Sequence, residues 1–144
     1  MTFNEFVTAV IDGGLASIQE DPNITRRPAR LEGARQGFEL CRGKLPTELA
    51  GLLNESARLE RDALEKTMSE DGVEEGTERD AAFMHAQYRH LQIEWVCNCV
   101  SAALWNQGLP TIIAPTARGL MRAAEILGVA EGGMRHVETG YEGP

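Results

Sequence analysis

Trp95-Val96-Cys97-Asn98-Cys99-Val100-Ser101-Ala102-Ala103-Leu104-Trp105 runs for eleven residues with only two polar side chains, those of Asn98 and Ser101. A helix that is apolar on every side has no face to offer to water, so it must be surrounded by protein. The segment contains neither Gly nor Pro, the two residues that most often interrupt a helix. We therefore predict that it forms the buried half of a long helix, and that this helix is the central element of the fold.

The same helix extends upstream, and both of its ends carry helix boundary signals. Thr77 is suited to cap its first turn, and Gly108 is suited to end it. Before Thr77, residues 70–76 are acidic and contain two glycines, which predicts a mobile loop. After Gly108, the stretch from Leu109 to Ala114 is predicted to be an extended connector, with a strand at Thr111–Ile113 as the alternative.

Four further helices follow from the positions of proline and glycine. Thr2 and Glu5 form a capping box at the start of an amphipathic helix over residues 3–20. The other predicted boundaries are Pro28 to about Gly43 for the second helix, Pro46 to Asp71-Gly72 for the third, and Pro115-Thr116 to Gly128 for the fifth. The sequence thus predicts an all-α, single-domain bundle of about five helices in residues 1–128, followed by a flexible tail at residues 129–144.

Length, charge and cysteine content exclude several classes of protein. A chain of 144 residues can bury a self-sufficient core, and its formal charge of -8 disfavours long nucleic acids and anionic membranes as partners. The early sequence lacks the basic and continuously apolar regions of a signal peptide, so we expect a cytoplasmic protein. Cys41, Cys97 and Cys99 are predicted to be buried thiols, because a Cys-x-Cys pair on a helix diverges by about 200° and cannot chelate one metal.

Positive charge is concentrated in one segment of this acidic chain. Residues 26–44 carry six basic and two acidic side chains, a local charge of +4, whereas residues 45–78 carry three basic and ten acidic side chains, a local charge of -7. Neutralisation between neighbouring helices is one interpretation of this contrast. The other is an anion-binding surface, because five of the six cations are arginines, whose planar guanidinium matches phosphate and carboxylate oxygens.

The start of the fifth helix adds features of the same kind. Its unpaired backbone N–H groups, the Thr116 hydroxyl and the Arg118 guanidinium can attract an anion, and Arg122 follows Arg118 on the same side of the helix. We predict that the two regions meet in one anion-binding pocket. The predicted ligand-binding residues are Arg26, Arg27, Arg30, Arg35, Arg42, Thr116, Arg118 and Arg122.

No motif indicates a catalytic residue, a metal site or a cofactor. His85 and His90 are five residues apart, which is the wrong spacing for a zinc or di-iron pair, so both are interpreted as structural. Glu74-Glu75-Gly76-Thr77-Glu78 resembles the first half of the magnesium motif of all-α nucleoside triphosphate pyrophosphohydrolases, but Gly76 and Thr77 break the helix and the second half is missing. A metal-dependent nucleotide hydrolase that uses the acidic residues near the fourth helix is the alternative function.

Glycines inside two of the predicted helices need an explanation, because each costs about 1 kcal/mol relative to alanine. They are Gly13-Gly14 in the first helix and Gly33-x-x-x-Gly37 in the second. We interpret Gly33, Ala34 and Gly37 as a close helix crossing that lets the first helix approach. The alternative is that the backbone of a ligand or partner occupies the space.

Leu31-Glu32-Gly33-Ala34-Arg35-Gln36-Gly37-Phe38-Glu39-Leu40-Cys41-Arg42, together with Glu94-Trp95-Val96, resembles small helical proteins carried by temperate phages and prophages. The resemblance extends over most of residues 1–128. It implies a non-catalytic protein that blocks a host protein or sequesters a host nucleotide signal, and it implies no particular site residue. We therefore expect a homo-oligomeric binding protein for a nucleotide-like anion or an acidic host protein, with a structural phage component as a third interpretation.

Overall fold

The computed structural model describes residues 1–18, 26–68 and 77–128. These residues form five helices: α1 (Phe3–Ser17), α2 (Arg27–Cys41), α3 (Pro46–Met68), α4 (Glu78–Asn106) and α5 (Ala117–Leu127). The described residues contain no strand, so the all-α prediction is confirmed, and the connector from Leu109 to Ala114 is irregular. The predicted acidic loop at residues 70–76 and the predicted tail at residues 129–144 lie outside the described residues.

The helix boundaries follow the predicted capping signals. Left-handed glycines end α4 and α5, with φ angles of +71° at Gly108 and +69° at Gly128. Threonine hydroxyls cap three helices by accepting a backbone N–H three residues later: Thr2 from Glu5 at 3.1 Å, Thr77 from Asp80 at 3.2 Å and Thr116 from Gly119 at 3.2 Å.

α4 is the central element of the fold and contacts each of the other four helices. Every residue from 96 to 103 is buried, as the apolar segment predicts, while Trp95, Leu104 and Trp105 at its ends are partly buried. Within the described residues, no helix combines the length and the apolar character needed to cross a membrane.

α2 packs beside α4 through its two glycines. A Cβ on Gly33 would collide with the backbone carbonyl of His85, and a Cβ on Gly37 would lie 2.5 Å from the carbonyl oxygen of Arg89. The contacts advance by four residues in the same direction on both helices, so α2 and α4 run parallel. The prediction of a close crossing is confirmed, but its expected partner was wrong: α4, not α1, fills the notch that Gly33 and Gly37 leave in the surface of α2. A glycine pattern shows where a helix can be approached closely, but it does not identify the neighbouring helix.

α3 runs antiparallel to α4. Its Leu49 carbonyl accepts the Cys97 thiol at 3.6 Å, and its Ser56 hydroxyl lies 2.7 Å from Nδ1 of His90. At the far end of α3, Leu64 is 38% exposed and Met68 is 75% exposed, although both continue the three- and four-residue spacing of apolar side chains along the helix. The part of α3 that faces α4 there borders a cavity instead of a packed core.

The two polar residues of the apolar segment hold the connection from α4 to α5. Asn98 donates from Nδ2 to the Thr116 hydroxyl and accepts the Thr116 backbone N–H, both at 3.0 Å. The Ser101 hydroxyl accepts the backbone N–H groups of Ile112 at 3.0 Å and Ile113 at 3.1 Å. Both side chains therefore satisfy backbone donors of a connector that has no strand partner.

Candidate functional site

A cavity of about 510 Å³ lies between the second half of α3 and the first half of α4. Its volume is in the range of small-molecule sites, roughly 300 to 1,000 Å³. The polar side chains that line it are those of Asp62, Lys66, Thr67, Arg79, His85 and Arg89.

The cavity exists because small side chains face each other across the two helices. Ala63 on α3 and Ala82 and Ala86 on α4 line it together with Leu59. The lining positions recur at three- and four-residue spacing on each helix, so they form one stripe per helix. Alanine leaves space where larger side chains would pack, and longer basic side chains line the same space.

The lining carries an excess of positive charge. Three cations, Lys66, Arg79 and Arg89, face one carboxylate, Asp62, which gives a formal charge of +2 when His85 is neutral. The Asp62 carboxylate also accepts a hydrogen bond from Arg58 at 3.0 Å, so part of its charge is already compensated. Basic side chains therefore outnumber acidic ones among the described residues that line the cavity.

Arg89 is a partly buried cation of the cavity lining. It donates to the neutral side-chain oxygen of Gln36 at 3.2 Å, while its buried Nε has no hydrogen-bond partner. Burial lowers the pKa of its guanidinium, and the distant charge of Glu55 opposes that effect. No carboxylate within the described ranges lies at ion-pair distance from Arg89. A half-buried cation in this state gains stability from an anion in the cavity.

His85 lines the same cavity one helical turn before Arg89. Burial lowers the pKa of its imidazole, the positive charge of Arg89 lowers it further, and Glu32 on α2 partly opposes both effects. His85 is therefore a neutral imidazole at neutral pH, able to donate one hydrogen bond and to accept another.

Near the cavity, a serine, a histidine and two glutamates lie together. These are the residue types of a hydrolytic triad. Nδ1 of His90 contacts the Ser56 hydroxyl at 2.7 Å, and its Nε2 lies 3.5 Å from Glu94 and 3.8 Å from Glu60. The Ser56 hydroxyl donates to the Leu53 carbonyl at 3.0 Å, and Ser56 is only 2% exposed. Ser56 thus cannot reach a substrate, and the group serves to join α3 to α4.

The described residues contain no group of three or more His, Cys, Asp or Glu side chains that could hold a metal ion. Glu74 and Glu75 of the acidic motif lie outside the described residues.

The predicted arginines of α2 are spread along the helix. Arg26 forms an ion pair with Asp80 at 3.2 Å, whereas Arg42 forms ion pairs with Asp12 at 2.8 Å and Glu39 at 2.9 Å. Sixteen residues separate Arg26 from Arg42, about 24 Å along a helix, so the structure does not bring them into one pocket. Among the described residues, the ion pairs between this segment and other helices join it to α1 and α4, not to α3.

Two of the predicted residues lie over aromatic rings on α4. The Arg30 guanidinium is 5.2 Å from the Tyr88 ring, and that of Arg118 is 5.7 Å from the Trp95 ring. Tyr88 and Trp95 are seven residues apart, which places them on one side of α4 about 10 Å from each other. We call Arg30, Tyr88, Trp95 and Arg118 the arginine–aromatic surface.

The remaining predicted residues are engaged elsewhere or exposed. Thr116 caps α5 and bonds to Asn98, so its hydroxyl and N–H already have partners. Arg122 pairs with Glu125 at 3.0 Å and lies against Gly13. Arg35 is exposed, and Nε of Arg27 has no acceptor among the described residues.

The basic residues of the cavity were missed by the sequence analysis, although their spacing carried a signal. Arg79, His85 and Arg89 share a stripe of α4 with Ala82 and Ala86. The local net charge did not indicate them, because Lys66 lies in the acidic segment 45–78.

Comparison of the chain with protein-family models, with curated proteins and with solved structures gives no match.

Proposed function

We propose that this protein is a non-catalytic binding protein for a small anionic ligand, and that the ligand occupies the cavity between α3 and α4. The observation that supports the proposal most directly is the half-buried guanidinium of Arg89, which has a neutral hydrogen-bond partner but no carboxylate beside it in the described structure. An oxyanion in the cavity would provide this guanidinium with a negatively charged hydrogen-bond acceptor, and such charge-assisted hydrogen bonds are stronger than neutral ones.

The lining also indicates the size and character of the ligand. Leu59 and the three alanines give apolar walls, while the cations give an anion-binding subsite. A phosphate group attached to a compact organic body fits this combination, and a nucleotide is the ligand class we propose. Sequestration of a nucleotide signal is also a function that the resemblance to phage-borne proteins implies.

We propose binding without turnover because none of the described residues that line the cavity is an activated nucleophile. Thr67 is the hydroxyl in its lining, and this hydroxyl donates to the Ala63 carbonyl at 2.8 Å. Ser56 is buried between α3 and α4, and its hydroxyl donates to the Leu53 carbonyl.

Isothermal titration calorimetry with inorganic phosphate, pyrophosphate and nucleoside monophosphates tests the proposal. We expect saturable binding that Arg89→Gln weakens by about ten- to a hundredfold, the effect of losing one charge-assisted hydrogen bond. Arg61→Gln is the matched control, because Arg61 is exposed on α3 outside the cavity lining and the variant changes net charge equally. Equal affinities for Arg89→Gln and the parent protein would contradict the cavity site, and nucleotide turnover with Mg²⁺ would support the hydrolase alternative.

The arginine–aromatic surface favours a second candidate function, the binding of an acidic segment of a protein partner. Stacking on the Trp95 ring leaves the edge of the exposed Arg118 guanidinium available for carboxylates. Binding of a glutamate-rich peptide that is weakened by Arg30→Gln and Arg118→Gln, but not by Arg89→Gln, would support this function. Equal binding by all three variants would contradict it.

A further inference from the structure

We infer that Gln36 on α2 is a positioning residue of the anion site: its neutral side-chain oxygen holds the Arg89 guanidinium at the cavity and leaves the positive charge for the ligand. Gln36 is not among the described residues that line the cavity, so it acts through Arg89 rather than on the ligand. The inference rests on the proposed function, because it identifies a residue that sets how tightly the same site binds its anion.

The close packing of α2 on α4 brings Gln36 to Arg89. Gly37, the next residue of α2, lies so near α4 that a Cβ there would be 2.5 Å from the Arg89 carbonyl oxygen. The side chain of Gln36 therefore reaches the Arg89 side chain, and Nη1 of Arg89 donates to Oε1 of Gln36 at 3.2 Å. A guanidinium can only donate hydrogen bonds, so the amide must present its oxygen, not its nitrogen, at this contact.

Two carboxylates of α3 could compensate the charge of Arg89, but both bind another cation. Arg58 donates from Nε to Glu55 at 3.2 Å and from Nη1 to Asp62 at 3.0 Å. The charge of Glu55 raises the pKa of Arg89, but burial lowers that pKa by more. In the described part of the chain, the hydrogen-bond acceptor of Arg89 is thus the neutral amide of Gln36.

A neutral acceptor at position 36 favours ligand binding at the expense of stability. Glutamate has the same length as glutamine and nearly the same helix propensity, so it fits the same position of α2. Its carboxylate would accept the Arg89 N–H group in a charge-assisted hydrogen bond, which is about twice as strong as a neutral one. The protein would then contain its own counter-ion for Arg89, and an anion in the cavity would have to compete with it.

Gln36→Glu tests this competition, because stability and affinity should change in opposite directions. We expect the melting temperature of the ligand-free variant to rise by about 1 to 4 °C, the effect of a partly exposed ion pair. We expect the dissociation constant for inorganic pyrophosphate, measured by calorimetry at constant ionic strength, to increase about tenfold. If the role of Gln36 were merely structural, the substitution would lower stability and affinity together.

Gln87→Glu is the matched control, because it makes the same change of residue and net charge on α4, outside the cavity lining and two positions before Arg89. Two residues correspond to about 200° around a helix, so the new carboxylate points away from the Arg89 side chain. The melting temperature of this control should not rise, and its affinity for pyrophosphate should stay within about threefold of the parent protein. A double-mutant cycle identifies the partner: in the Arg89→Gln background, Gln36→Glu should no longer raise the melting temperature.

The outcomes separate this inference from the proposed function. Unchanged affinity in Gln36→Glu, a loss of both stability and affinity, or a loss of affinity that Gln87→Glu shares would overturn the role of Gln36 and leave the anion site in place. An equal rise in melting temperature in the Arg89→Gln background would overturn it as well, because the carboxylate would then pair with another group. Failure of pyrophosphate to bind the parent protein would overturn the proposed function, and the role of Gln36 with it.

Discussion

Asn98 is a buried polar side chain that organises the structure around it. It satisfies the backbone and side chain of Thr116, and its amide packs directly on Gly119, which has no Cβ to collide with it. Asn98→Ala should cost about 1 to 3 kcal/mol, because it leaves the Thr116 N–H unpaired. Urea unfolding measures the loss, and Asn106→Ala at the exposed end of α4 should stay within about 0.5 kcal/mol of the parent protein. Equal stability of the two variants would show that the Asn98 bonds contribute nothing.

His85 predicts how the stability of the ligand-free protein depends on pH. Its pKa in the folded state lies below the ordinary value of 6.5, so acidification protonates the unfolded chain first. Stability therefore falls as the pH is lowered through 6.5 towards the folded-state pKa, and the loss is absent above 6.5. Urea unfolding of the parent protein and of His85→Gln should show a smaller acid loss in the variant. Parallel curves would contradict this assignment.

The distance at which α2 packs against α4 depends on glycine residues of α2. Gly37→Ala places a Cβ against the backbone of Arg89, which cannot rotate away, so the helices must separate. We expect a loss of about 1 to 3 kcal/mol, opposite in sign to the gain in helix propensity. Gly51→Ala is the control, because nothing lies within 4 Å of its new Cβ, and it should stabilise α3 by up to about 1 kcal/mol. Stabilisation by both variants would show that the crossing tolerates a larger residue.

The elements themselves were predictable from sequence because their signals are local. Thr77 and Thr116 cap the helices they precede, and Gly108 and Gly128 end the helices they follow. The neighbour that fills the Gly33–Gly37 notch was not predictable, since it is chosen by packing between distant segments. For the same reason, Leu64 and Met68 have core spacing on α3 but lie at the end of the helix that borders a cavity.

The candidate site belongs to the whole molecule rather than to any segment. The charge distribution along the chain indicated the segment from Arg26 to Lys44 as the anion site. In the folded protein, Arg26 of this segment pairs with Asp80, and Arg42 pairs with Asp12. The cavity instead combines Lys66 from the acidic α3 with Arg79 and Arg89 from α4. A candidate anion site formed by two helices can be recognised only when their facing stripes are known, and this pairing is set by the tertiary fold.

The three cysteines make cooperative unfolding of the whole molecule measurable. Cys41 on α2 and Cys97 and Cys99 on α4 have no exposed surface, and burial raises the pKa of each thiol to about 12. The thiolate is the reactive form, so a thiol reagent at about pH 8 should label the native protein only through unfolding. Variants that retain one cysteine each should then react at a common rate that rises equally with urea. In a separate measurement without the thiol reagent, neither chelator nor reductant should change the helical circular dichroism. Much faster labelling of Cys41 would show instead that α2 separates from α4 while the rest of the bundle stays folded.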